Sequence, residues 1–300
     1  MIEIITPESE QHWHELRAQD ITSTDCAALF GMSPYCTPFE LWHRKREATT
    51  IQIEDNERMC WGRRLEAAIA YGIAEDEGWQ VRPFKVYVRD PEYRIGASFD
   101  FEVVGHPDGQ GLMEIKNVDR LVYMKDWQDD EAPPHIEIQA QHQLAVTGYD
   151  WTLIAALVGG NTPAKLRRKR DDEVVAAIRA KAREFWRSIE DNKPPSPVFP
   201  EDAAMVVRMH QFAEPGTLAD LRKNPMATEL ATAYKVAGDA EKAANDAKQS
   251  AKAELLLLLG DREKALLDGF SISAGMVGPT HIAYDREGYR NFRVTAKKPK

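Results

Sequence analysis

Two carboxylates and an amine, Asp100, Glu114 and Lys116, fall within the stretch GASFDFEVVGHPDGQGLMEIK (96–116). Apolar runs on either side of a turn-rich centre (Gly105, Pro107, Asp108, Gly109, Gly111) predict two short strands joined by a loop. Asp100 closes the first strand, and Glu114 and Lys116 lie two apart on the second. A period of two puts those two on one face, with Met113 and Ile115 turned to the interior. Two carboxylates gathered there with an amine are costly unless a divalent cation sits between the acids. A D…E-x-K arrangement holds Mg2+ and activates a water against a phosphodiester. E-x-K also arises by chance in a chain that is 29% charged, where it marks a solvated strand face. Evidence for the chemistry must come from the elements around it.

Three hundred residues, 43% of them hydrophobic, make one large domain or a core with an appendage. No apolar run is long enough for a membrane helix, and the N-terminus, MIEIITPESE, turns polar and acidic at once. Neither a transmembrane segment nor a signal peptide is expected, and no membrane partner. Cys26, Cys36 and Cys60 form no C-x-x-C pair, which argues against zinc and against a disulfide framework and points to a reducing cytoplasm. The net charge is −9, and it resides in the first two hundred residues, with 24 basic and 34 acidic side chains. A DNA enzyme with that balance must concentrate Lys and Arg locally while its carboxylates hold cations. Arg44-Lys45-Arg46, Arg63-Arg64 and Lys165 to Arg170 are the candidates, though each alone reads as a solvated face.

The elements that position these groups follow from periodicity and capping. Residues 7–20 predict a first helix carrying Trp13, Leu16 and Arg17. Thr24 is the expected N-cap of a short helix from Asp25 to Phe30, ended by Gly31. With Arg17 nearby, that helix start reads either as an anion site or as ordinary capping. Pro38 opens a further helix to Arg46. Residues 56–77 form an amphipathic helix with Leu65, Ile69 and Ile73 at every fourth position, Glu66 on its border and Gly78 at its end. Val81 to Val88 alternates as one strand, and 119–134 reads as a loop. His135 to Gly148 predicts a helix with Gln139 and Gln143 on one stripe, and Trp151 to Val158 a buried strand. A helix from Asp171 or Asp172 to Glu190 precedes the Pro-rich KPPSPVFPED. Beyond it, alanines at 233, 237, 240, 244, 247 and 251 form a heptad-like seam. The seam predicts a helical hairpin, followed by a β-hairpin of FSISAGMV against NFRVTAKK around Asp285, Glu287 and Gly288.

Several pieces in order, R-x4-T-S-T-D (17–25), G-M-S-P-Y (31–35), G-R-R-L-E (62–66), A-S-F-D (97–100), E-I-K (114–116) and Q-A-Q-H-Q-L-A-V-T-G (139–148), resemble the YqaJ-like viral recombinases. These are the phage lambda-type exonuclease group of the PD-(D/E)xK nuclease superfamily, and the resemblance spans roughly residues 15 to 195. It implies an α/β restriction-endonuclease-like core, a central mixed sheet flanked by helices. It further implies that Asp100 and Glu114 are metal ligands, with the Ile115 carbonyl as a third, for Mg2+ or a substituting Mn2+. Lys116 would position the attacking water, Glu66 would help hold a second ion, and Gln139 would be the active-site glutamine. Arg17 and Thr24 match the 5′-phosphate positions. Thr24 stands where the family more often has Ser, and Phe99 where it has Pro. The implied activity is 5′-to-3′ digestion of linear duplex DNA ends in a bacterial host's cytoplasm, by a trimer working with a single-strand annealing protein.

Residues 1–200 are thus expected to be the nuclease domain and 201–300 a helical and β-hairpin appendage. Two other readings stand beside the exonuclease: a structure-selective or sequence-tolerant endonuclease with the same metal site, and an inactive DNA-binding module in which Glu114 and Lys116 merely pair. His135 and His142, seven apart with no third ligand, fit no usual zinc site.

Overall fold

The computed structural model describes residues 1–47, 56–128, 130–281 and 290–295, in two compact units, Met1–Val206 and Val207–Lys300. The first unit runs through β1 (Glu3–Ile5), α1 (Glu10–Gln19), β2 (Ile21–Thr22), α2 (Ser23–Leu29), α3 (Pro38–Arg46) and α4 (Glu57–Glu77). Next come β3 (Gln80–Pro83), β4 (Tyr87–Asp90), β5 (Ile95–Ser98), β6 (Phe101–Val104) and β7 (Gly111–Val118). Helices α5 (Arg120–Asp126) and α6 (Pro134–Thr147) cross over to β8 (Trp151–Val158), β9 (Thr162–Lys169) and α7 (Asp172–Glu190).

Five strands form a mixed sheet in the order β3-β6-β7-β8-β9, and four more form β1-β4-β5-β2. Within the larger sheet only β7 and β8 run parallel. A parallel pair needs a crossover connection, which α5 and α6 provide. Both faces of β7 are therefore covered. On one, Ile69, Ala70 and Ile73 of α4 pack on Met113, Ile115 and Leu153. On the other, Ile136 and Ala140 of α6 pack on Val118, Ile154 and Ala156. Each fully buried aliphatic side chain stabilises the fold by about 1.5–3 kcal/mol. A third cluster, with Leu41, Trp42, Ile95, Ile178 and Trp186, joins the smaller sheet to α3 and α7. The expected central mixed sheet flanked by helices is thus the architecture observed.

Local chemistry explains both the agreements and the departures. Asn56 caps α4 through Met59 N, and Gly78 ends it in the left-handed region at φ 67°. Pro38 opens α3 as expected. The single strand expected from Val81 to Val88 is two strands in two sheets. Pro83 cannot donate to a ladder and ends β3, and Phe84 N turns instead to the Asp100 carbonyl at 3.1 Å. The expected loop 119–134 contains α5, capped by Asp119 Oδ1 on Leu121 N at 2.8 Å. The N-cap of α2 is Thr22, not Thr24: Thr22 Oγ1 accepts from Asp25 N at 3.3 Å, and Asp25 reaches back to Thr22 N. Pairing of Thr22 with Gly96 keeps Thr22 extended, as an N-cap must be. A side chain on Gly96 would collide with the Tyr87 ring, so this close pairing requires glycine.

The basic runs are largely neutralised inside the unit. Arg44 and Lys45 pair with Asp25. Lys165 to Arg170 falls mostly on edge strand β9, where Lys165 pairs with Glu77, Arg167 with Asp108 and Arg168 with Glu137.

In the second unit, where the alanine seam predicts two helices, α9 (Pro225–Leu259) is one continuous helix of 35 residues after the short α8 (Ala203–Met209). Asn224 caps it and no turn cluster interrupts it before Gly260. A β-hairpin follows, but Phe270–Ser273 (β11) pairs with Lys264–Leu267 (β10), not with the described residues 291–295. The two-residue Asp268-Gly269 turn, with Gly269 at φ 79°, fixes that register. The turn expected at 285–288 lies outside the described residues. Among the described residues, no helix is long and apolar enough to cross a membrane.

Candidate active site

Strand β6 stops pairing with β7 at Phe101 and Met113. Beyond that point the N–H of Ile115 has no partner on β6, and the side chain of Asp100 takes its place: Oδ2 accepts from Ile115 N at 2.7 Å. The N–H and carbonyl of a strand residue point to the same side, so the Ile115 carbonyl leaves the strand on the edge where Asp100 sits. Glu114, 5% exposed, faces α6. Its Oε1 accepts from Lys116 Nζ at 2.6 Å and from Gln139 Nε2 at 2.6 Å, and its Oε2 from Gln143 Nε2 at 2.6 Å. Lys116 Nζ also lies 3.2 Å from Gln139 Oε1. Alternation along β7 and one turn of α6 therefore bring Glu114, Lys116 and Gln139 into mutual contact.

The electrostatics are those of an acidic centre short of positive charge. Burial, then Glu114 and Glu66, raise the pKa of Asp100 well above the usual carboxylate range, against the Ile115 N–H and Lys116. Glu66, half-buried on α4, is raised by burial and by Glu114, against Arg63 and Lys116. Burial works against the Lys116 ammonium, but Glu114 and Asp100 outweigh it, and its pKa is raised. Lys116 therefore stays charged at neutral pH.

Arg17 and Thr24 meet on the other side of α2: Arg17 Nη2 donates to Thr24 Oγ1 at 3.3 Å, and the guanidinium lies 4.5 Å from the Trp13 ring centroid. Thr24 Oγ1 is also 3.1 Å from Thr22 Oγ1. Beneath them, Lys45 Nζ donates to the carbonyls of Arg17 at 2.8 Å and Asp20 at 2.6 Å. Burial opposes charge on Asp25, yet Lys45 and Arg44 hold it well below the usual carboxylate range. A cavity of about 740 Å3 is lined by Thr24, Lys116 and Gln139 together with Tyr35, Arg58 and Trp127. The partner of Arg17 and two members of the Lys116 cluster thus line one space.

Three residues here have no site role among the sequence expectations. Gln143 shares the helical stripe of Gln139, and Tyr35 lies in the G-M-S-P-Y piece. Arg58 lines the cavity with Tyr35, and no spacing marks it. His135 meets the Tyr35 ring edge-on, and His142 is buried with Nε2 at 3.2 Å from the Ile21 carbonyl.

Among the described residues, no three His, Cys, Asp or Glu side chains converge at ligand spacing. The donors on hand are two carboxylates and a backbone carbonyl, all hard oxygens, the set that suits Mg2+ or Mn2+ rather than zinc. Burial, Glu114 and Glu66 raise the pKa of Asp100 despite Lys116 and the Ile115 N–H, so its negative charge is only partly compensated. Asp100, Glu114 and the Ile115 carbonyl fit a hard divalent cation.

The fold is similar to that of a protein solved as an alkaline exonuclease. The crystal structure of the alkaline exonuclease LHK-Exo from Laribacter hongkongensis superposes with a TM-score of 0.51 at 22% identity, covering 65% of this chain and 99% of that one. LHK-Exo in complex with dAMP gives 0.51 at 23% identity, over 65% and 99%. Residues 12–150 match the YqaJ-like viral recombinase domain. The uncharacterized protein YqaJ of Bacillus subtilis (strain 168) is 32% identical over 181 residues, 59% of this chain and 56% of that relative.

Proposed function

We propose that this chain is a Mg2+-dependent deoxyribonuclease, a 5′-to-3′ exonuclease on linear duplex ends whose 3′ single strands serve recombination by strand annealing. The observation that carries the reading is a shared cavity: Lys116 and Gln139, both in contact with Glu114, line the same space as Thr24, which is bonded to Arg17. Asp100, Glu114 and the Ile115 carbonyl would hold a divalent cation, and Glu66 would serve a second; when bound, the metal would supply Lewis acidity to the phosphodiester and its attacking water. Lys116 places a fixed ammonium beside the reacting phosphate, where one preorganised donor is worth about 10²–10³ in rate. Gln139 orients that ammonium and Glu114 together. Arg17 and Thr24 offer a guanidinium and a hydroxyl to a terminal 5′ phosphate, a charge-assisted site that an internal phosphodiester would not satisfy equally. That pair favours an exonuclease over an endonuclease.

The chemistry is assigned to residues 1–200, with 201–300 as an appendage for assembly or partner contact. Digestion of linear duplex DNA with and without a 5′ phosphate, in Mg2+ and in EDTA, tests the reading. Mg2+-dependent release of nucleotides from phosphorylated ends supports it. Internal cuts without end dependence mean an endonuclease, and binding without hydrolysis an inactive module. Sedimentation of the full chain tests the trimer that the resemblance implies.

A further inference from the structure

Gln143 is 1% exposed and touches the acid on which the site depends. Its Nε2 donates to Glu114 Oε2 at 2.6 Å and more weakly to the Ser98 carbonyl at 3.4 Å. Gln139, one turn earlier on α6, donates to Oε1 at 2.6 Å. Residues four apart share a helix face, so a single face of α6 holds both oxygens of one carboxylate. The two oxygens are not equivalent. Oε1 already accepts from two donors, Lys116 and Gln139, and Oε2 accepts from Gln143 alone. A carboxylate oxygen has two lone-pair sites, so Oε2 is the oxygen with capacity left.

The other end of Gln143 is unsatisfied, since its buried Oε1 has no hydrogen-bond partner. A flipped amide would not help, because it would turn Oε1 toward two acceptors. A lost partner at a buried polar atom costs about 1–3 kcal/mol, which an apolar side chain of similar size would avoid. Packing alone does not call for an amide here.

We propose that Gln143 is a positioning residue for divalent-cation binding: it fixes the plane of the Glu114 carboxylate through a neutral donor and leaves Oε2 its charge and one lone pair for the metal. The proposal rests on the reading of Glu114 as a ligand. Partners that orient a ligand in this way are worth about 10–100-fold in metal affinity or activity.

The test uses the full chain, with Mn2+ as the probe and free Mn2+ followed by electron paramagnetic resonance without DNA. Gln143→Met keeps the volume and removes the donor. It should weaken Mn2+ binding about tenfold and raise the half-saturating Mg2+ for hydrolysis by a similar factor. Its melting temperature in EDTA should match or exceed that of the unmodified chain. A folded Gln143→Met with unchanged Mn2+ affinity overturns the proposal, and so does a lower melting point in EDTA with affinity intact, which marks a structural role only. Should that variant not fold, Gln143→Asn, one methylene short, must show the same loss of affinity. Glu114→Gln separates the two levels. If it too leaves Mn2+ affinity unchanged, or the unmodified chain binds no Mn2+, the ligand reading itself fails and takes this proposal with it.

Discussion

Asp100→Asn should make the metal-free protein more stable and abolish the proposed hydrolysis. The part-buried Asp100 carboxylate faces Glu114 and Glu66 and accepts a hydrogen bond from Ile115 N at 2.7 Å. Asn keeps an oxygen for that N–H and removes a negative charge from a site with too many. A carboxyl whose folded pKa is raised destabilises the fold once the pH exceeds its ordinary range, because the unfolded chain ionises more easily. Replacing it by its amide should return about 1–3 kcal/mol in the absence of metal, the scale for a poorly compensated buried polar group. For a unit of this size, 1 kcal/mol moves the melting temperature by about 2–4 °C. Thermal melts at pH 8 in EDTA should therefore show Asp100→Asn melting about 2–12 °C above the unmodified chain. With 10 mM Mg2+ the order should narrow or invert, since only the unmodified site gains by binding metal. Hydrolysis of linear duplex DNA should fall by at least about 10²-fold, the scale of losing one preorganised charge-stabilising group. A variant that melts lower in EDTA would show that Asp100 is a structural acceptor rather than an uncompensated charge. Undiminished hydrolysis would remove it from the site.

Arg17→Ala should reduce the preference for 5′-phosphorylated ends more than the hydrolysis of unphosphorylated ends. Equal losses on both substrates would assign Arg17, which also stacks on Trp13, to the fold. His142 is fully buried and its pKa is pushed down to about 4, by burial first. As the pH falls from 6.5, the unfolded chain therefore takes up the proton before the folded one. Stability should drop between pH 6.5 and 4, by up to about 3 kcal/mol. Melting temperatures of His142→Gln across that window should fall less steeply than those of the unmodified chain, and parallel curves would exonerate the histidine. Truncation after Val206 should stay folded and cleave linear DNA at a similar rate per subunit. Truncation after Pro200 should lose about 1 kcal/mol more, because Asp202 accepts from Thr37 Oγ1 at 2.5 Å and from Val198 N at 2.6 Å. A Val206 truncation that folds but does not cleave would place the tail in the active site.

What the sequence determined by itself is whatever a short stretch of backbone enforces. Glu114 and Lys116 share a face of β7 because side chains on any strand alternate. The α4 helix ends at Gly78 because only a residue at ease with positive φ can stop it there. Trp151–Val158 is a covered strand because so apolar a run has no solvated face to offer. The Asp268-Gly269 turn was also local and legible, yet the apolar run ahead of it concealed the strand it closes.

Contacts between distant segments decided the rest. Thr22 and Thr24 are equally good caps on paper, and the pairing of β2 with β5 chooses Thr22. The Val81–Val88 alternation is continuous in sequence, but Pro83 and the competing sheets split it. The basic run of β9 reads as a nucleic-acid patch until acids far along the chain neutralise it. Asp100 meets Ile115 only because β6 begins at Phe101, just after Asp100, and leaves one N–H of β7 open. The pair of glutamines on Glu114 exists only because a parallel crossover lays α6 against β7's polar side. Periodicity can say which side chains share a face; which face they meet depends on free energies summed over the whole core.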